Sequence, residues 1–125
     1  MLVYGFVGDN SGFMEIENKL HPMQKFVGGR IEVIEITPDI DLIVNEEYLF
    51  NGTEPRVILL ENGRFQNCMV MGDCFVCRHD GKGNFVSIKY SDLPTIQKRL
   101  LHLKCEELKM LAVLYLSSLT EDFDI

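Results

Sequence analysis

The sequence has no long apolar run. The longest, Met110 to Leu116, is seven residues, far below the ~20 that a helix needs to cross a bilayer. The opening MLVYGFVG carries no basic residues ahead of its apolar ones, so no targeting segment is expected. Basic charge is scarce as well. Twelve Lys and Arg face 19 Asp and Glu, giving a formal charge of -7, which argues against non-specific binding to a phosphate backbone. Four cysteines without a secretory signal read as reduced thiols in an intracellular setting, not as a disulfide scaffold. Gly81-x-Gly83 and Gly28-Gly29 lack the strand-loop-helix order and the Lys-Ser/Thr ending of a nucleotide fingerprint, so both read as turns. No serine or cysteine stands in a recognised nucleophile setting. No internal repeat appears.

The chain itself, 125 residues of which 46% are hydrophobic, sustains one core and is too small for two ordinary domains. Its pivot is Met23 to Ile36, MQKFVGGRIEVIEI. Met23, Phe26 and Val27 share a helical face, Gly28-Gly29 permit a left-handed exit, and Ile31 onward alternates as a strand. Before it, Met1 to Val7 reads as a strand with Leu2, Tyr4 and Phe6 on one face and Val3 on the other. A turn follows over Gly8 to Gly12, then a short strand from Phe13 to Ile16. After the pivot, strands are expected over Ile40 to Val44, Val57 to Leu60, Cys68 to Met71, Asp73 to Cys77 and Phe85 to Ile88, with a reversal at Asn51-Gly52. From Pro94 to Leu119 no glycine or proline intervenes. Ile96, Leu100, Leu103, Glu107, Met110 and Leu114 mark a helical face, as one long helix or two joined near Cys105-Glu106-Glu107. The expected fold is α+β, mainly antiparallel sheet with one short helix and a C-terminal helical segment. The expected organisation is a mixed domain over 1–93 and a helical tail over 94–125, packed on the sheet or forming an interface.

Met23-Gln24-Lys25-Phe26-Val27-Gly28-Gly29-Arg30-Ile31-Glu32, Leu42-Ile43-Val44-Asn45-Glu46-Glu47, Met71-Gly72-Asp73-Cys74-Phe75-Val76 and Gly81-Lys82-Gly83-Asn84-Phe85-Val86-Ser87 carry a resemblance. Through them the chain, over roughly residues 1–93, resembles a family of small uncharacterised domains encoded by bacteriophages, plasmids and conjugative elements. Leu49 to Arg56 lacks the Leu-Pro-Pro-Asn-like stretch common there, and the tail from Pro94 runs longer than the usual family end. The resemblance implies an origin and a bacterial cytoplasmic setting, not a reaction. Mobile-element proteins of this size often interfere with host defence.

Three function classes follow. The first is non-catalytic protein binding through acidic charge. Between Ile31 and Pro55 lie Glu32, Glu35, Asp39, Asp41, Glu46, Glu47 and Glu54, with no Lys or Arg. On a shared face they would form a negative field suited to a basic host protein, such as a nucleic-acid-targeting defence protein (an anti-CRISPR role among them). The second is a small enzyme or ligand-binding protein with a polar site near Asn45-Glu46-Glu47 and His79-Asp80. The third is a homodimeric structural or regulatory module joined through Leu108, Leu111, Ala112, Tyr115 and Leu119. No cofactor and no metal are expected. Cys74-x-x-Cys77 has zinc-like spacing, but residues three apart on a strand face opposite ways, so the thiols read as core. Of the four cysteines, Cys68, Cys74, Cys77 and Cys105, Cys68 and Cys74 with His79 would complete a set only around a bent strand. Direct binding of nucleic acid and of membrane is not expected.

Overall fold

The computed structural model describes residues 1–49, 54–61, 64–104, 106, 109–111, 113 and 114. β1 (Leu2–Val7) and β2 (Asn10–Glu15) form a hairpin in which Val7 faces Asn10, so Gly8-Asp9 alone make the turn. Gly8 takes φ +57° there, a conformation open to glycine. The tight turn lets the ladder close at once, and β2 therefore begins before Phe13, in polar residues that an edge strand tolerates.

α1 (Leu20–Val27) buries Met23 and Val27 and sets Phe26 edge-on against Phe75, with ring centroids 5.1 Å apart. Gly28 closes it at φ +81°, and the N–H groups of Gly28 and Gly29 both donate to Gln24 O, at 2.9 and 3.0 Å. Gly29 has a further constraint, because a Cβ there would lie 2.8 Å from Asn45 Nδ2. The chain then forms β3 (Ile31–Glu35) and β4 (Ile40–Asn45), and moves to a second sheet with β5 (Pro55–Glu61) and β6 (Arg64–Met71). β7 (Cys74–His79) returns to the first sheet between β1 and β4, and β8 (Phe85–Val86) pairs with its far end. The resulting order is β2-β1-β7-β4-β3, with every pairing antiparallel. A 3-10 turn at Tyr90–Asp92 leads into α2 (Leu93–Arg99) and β9 (Leu100–His102), which completes a second sheet of order β6-β5-β9. The fold is α+β.

Two core layers flank the first sheet. On one side Val3, Ile43, Phe75 and Cys77 meet Met23 and Val27 of α1. On the other, Phe6, Leu42, Val44, Cys74 and Val76 meet Val57, Leu59 and Val70 of the second sheet and Ile96 of α2. All of Ile40–Asn45 is buried, as expected for a strand covered on both faces.

β9 corrects the expectation of a helical segment from Pro94, as one helix or as two joined near Cys105-Glu106-Glu107, because strand replaces helix at Leu100–His102. β5 has a free edge with Val57, Ile58 and Leu59 buried, and it supplies both ladder partners and apolar neighbours to Leu100-Leu101-His102. Leu100 enters the inner core and Leu101 packs with Ile58, Met69 and Leu103 on the outer face. Tertiary pairing thus outweighs local helix propensity. Helical backbone resumes at 106, 109–111, 113 and 114. No helix among the described residues is long and apolar enough to cross a membrane.

Arg78 fastens β7 to α2, its Nε and Nη2 donating to Asp92 at 2.8 and 2.7 Å, while Lys89 N also donates to Asp92 Oδ2 at 2.8 Å. Asp92→Ala strands the half-buried guanidinium and should lower unfolding free energy by about 2–3 kcal/mol. Gly29→Ala should cost about 1–3 kcal/mol through the clash with Asn45. Urea denaturation followed by circular dichroism checks both, and a midpoint equal to wild type contradicts the packing described.

Candidate functional site

The ends of β4 carry most of the polar residues singled out in the sequence. At its start, buried Asp41 faces the α1 side of the sheet, and Asp41 Oδ2 lies 2.7 Å from His79 Nδ1. Glu35 stands opposite Asp41 in the β3–β4 register, and Asp39 O accepts His79 N at 3.3 Å. The hydrogen bond and then the charge of Asp41 raise the His79 pKa above its ordinary value, with Asp39 and Glu35 adding to the effect. Asp80, the sequence neighbour, takes no part in this pair. It accepts from Lys82 N, Asn84 N and Asn84 Nδ2 at 2.8, 2.9 and 3.1 Å, closing its own loop, and those donors lower its pKa.

At the far end, Asn45 Nδ2 donates to Val27 O at 3.2 Å and Asn45 Oδ1 accepts Glu47 N at 2.8 Å, a side-chain turn that leaves both glutamates exposed. Four residues of strand separate Asp41 from Asn45, about 13 Å at ~3.3 Å per residue. The Asn45–Glu47 and His79 groups therefore do not converge.

The seven carboxylates do not share a face either. Glu32 and Glu35, three apart on β3, point to opposite sides of the sheet. Asp41 is buried against His79, and Glu54 binds Lys109 Nζ at 2.9 Å, with Asp9 3.4 Å from the same ammonium. What remains exposed without a basic partner among the described residues is Glu32 and Glu35 on β3, Asp39 in the β3–β4 turn, and Glu46 and Glu47 beyond the end of β4, while Glu54 is exposed but paired. Val33, between the two β3 glutamates, is 44% exposed. Among the described residues, β3 pairs only with β4.

Cys74 and Cys77 fall in different core layers, on opposite faces of β7, so they cannot act as a pair. Burial pushes the Cys77 thiol up to about 12 and Cys74 upward as well. Among the described residues no group of three His, Cys, Asp or Glu is placed to hold a metal. Cys105 and the side chain of Cys68 lie outside the described residues, as do Leu108, Ala112, Tyr115 and Leu119. Leu111 is exposed.

One polar group had no prominence in the sequence. Arg56, near the start of β5, is only 8% exposed, with Nε donating to Asp73 Oδ1 at 3.0 Å. It lines a cleft of about 350 Å³ beside the end of α1. An arginine directly before Val57-Ile58-Leu59-Leu60 was the available signal, but the burial of its side chain depends on Asp73 and α1.

A family model described as a domain of unknown function, DUF3846, matches residues 8–101, most of the chain. The chain belongs to that family. No curated protein and no solved structure matches it. The DUF3846 match passes the Leu93 limit set by the sequence resemblance and takes in α2 and the start of β9. The unit that defines DUF3846 here thus includes the segment that pairs with β5.

Two histidines give this DUF3846 chain opposite pH responses. His79 is raised, so its contribution to stability is full below the unfolded value of ~6.5 and is lost as pH rises through the folded value. His102, whose Nε2 donates to Gly8 O at 2.9 Å, is lowered chiefly by burial, so stability falls as pH drops below ~6.5. In Asp41→Asn the His79 titration, followed by proton NMR, should move down toward the ordinary value while that of His102 stays in place. Cys74 and Cys77 should resist alkylation at pH 8 until the chain unfolds, as read by mass spectrometry. Labelling of either in the native state contradicts their placement.

Proposed function

We propose that this DUF3846 chain is a non-catalytic protein-binding module whose acidic β3 edge receives an extended basic segment of a partner. The observation that carries the reading is β3 itself, an edge strand with a half-exposed Val33 flanked by exposed Glu32 and Glu35. Such an edge offers unpaired backbone groups for strand addition, and its carboxylates select against acidic partners. The net charge of -7 favours a basic partner in the same sense. The resemblance to proteins of bacteriophages and other mobile elements suggests the partner class, a basic nucleic-acid-binding host protein, with the chain acting as its inhibitor in the bacterial cytoplasm. The His79–Asp41 pair supplies an oriented imidazole, but Cys77, the thiol on that face among the described residues, is buried and held protonated, which favours binding over nucleophilic catalysis.

A second reading, a homodimer through the tail, draws support from Met110, Leu111, Val113 and Leu114, all exposed apolar residues on helical backbone. Light scattering across a concentration series tests it: mass doubling that Leu111→Glu abolishes supports it, and a constant monomer mass rejects it.

For the binding reading, the probe is a synthetic peptide alternating Lys and Val, titrated at low salt with amide exchange read by NMR. Protection should rise at Ile31–Glu35, and the double reversal Glu32→Lys with Glu35→Lys should weaken binding about tenfold, ~1.4 kcal/mol. Binding unaffected by the reversal, or protection confined to another strand, rejects the β3 edge.

A further inference from the structure

The cleft beside the end of α1 is independent of the β3 edge and has a different chemistry. Its buried wall is Arg56, whose side chain is 10% exposed. Arg56 Nε is taken by Asp73 Oδ1, but Nη1 is buried with no hydrogen-bond partner. A buried donor left unpaired is costly, more so when it is charged, and such a cation keeps an uncompensated positive field beside the cleft. Lys25 lines the same cleft from the last turn of α1, exposed at its mouth. Phe26 and Val27 supply an apolar wall.

The charge of the cleft favours an anion. Arg56 and Lys25 outweigh Asp73, which is further occupied by Gly8 N at 3.1 Å. The C-terminal end of a helix would ordinarily repel a negative group through its free carbonyls. Here Val27 O is capped by Asn45 Nδ2, and Gln24 O accepts two N–H groups, so those acceptors are already engaged. A net positive, half-apolar cleft thus sits in a protein of formal charge -7.

We propose that this cleft binds a small organic anion, whose carboxylate or phosphate is drawn by the Arg56 guanidinium and held by Lys25, with its apolar part against Phe26 and Val27. The guanidinium is already oriented by Asp73, so the site is largely preformed. The carboxylate form has two sources, a free metabolite or the C-terminus of a peptide.

The test uses the full chain, labelled with nitrogen-15, and three probes: inorganic phosphate, benzoate, and a short apolar peptide with a free or an amidated C-terminus. The Arg56 side-chain signals and the amides of Lys25–Gly29 and Gly72-Asp73 should shift with at least one anionic probe and not with the amidated peptide. Benzoate or phosphate alone acting points to a free small anion, and the free-acid peptide binding more tightly than benzoate points to a chain terminus. Lys25→Glu, a change at an exposed position, should weaken binding at least about fivefold without altering the melting temperature. Arg56→Lys, which keeps a cation but loses the fork, should weaken it further. No shift at Arg56 with any probe at ~10 mM, a concentration that would reveal millimolar affinity, overturns the proposal, as does binding that Lys25→Glu leaves unchanged.

Discussion

β7 is the strand on which the rest of the molecule depends. It enters the first sheet after the chain has left it to build β5 and β6, and it pairs with β1 on one side and β4 on the other. Its period-two alternation sends Cys74 and Val76 into one core layer and Phe75 and Cys77 into the other. A slip of one residue would exchange those sets and bring Arg78 and His79 to the wrong sides, so its register is fixed by burial on both faces. Without β7 the β1–β2 and β3–β4 hairpins have no common partner.

The same strand distributes the charged groups. Arg78 leaves one face to grip Asp92 at the head of α2, and His79 leaves the other to meet Asp41. Asp73, just before β7, orients Arg56 and receives Gly8 N. Asp41 and Asp92, carboxylates that would otherwise add to the outer field, are therefore buried as internal fastenings, while Glu54 is neutralised at the surface by Lys109. Of the seven acidic residues between Ile31 and Pro55, those exposed with no ion pair to a basic residue among the described residues lie on β3, in the β3–β4 turn and just past β4.

The Gly28-Gly29 junction connects architecture to chemistry. It stops α1, turns the chain into β3, and admits the Asn45 amide to the space that a side chain at position 29 would fill. Asn45 then caps the helix end and forms one wall of the Arg56 cleft. The edge proposed to take a basic strand and the cleft proposed to take an anion are thus built from the two sides of one junction.

Local chemistry in the sequence was sufficient for what depends on neighbours along the chain. The alternation of Leu2, Tyr4 and Phe6 against Val3, the glycine stop after Val27, the strand character of Cys74 to Cys77 and the turn made by Asn45 follow from periodicity and from backbone freedom. So does the α+β class. What depended on residues distant in sequence was not legible. Leu100 to His102 carry a helical spacing and become a strand because β5 presents a free edge. His79 stands beside Asp80 and pairs instead with Asp41, because strand register sets which side chains meet. Arg56 reads as one charge in an apolar strand, and only the closure of α1 and Asp73 around it makes it a buried, half-satisfied cation. Periodicity fixes which way a side chain points, whereas the partner it meets is set by how the sheets assemble.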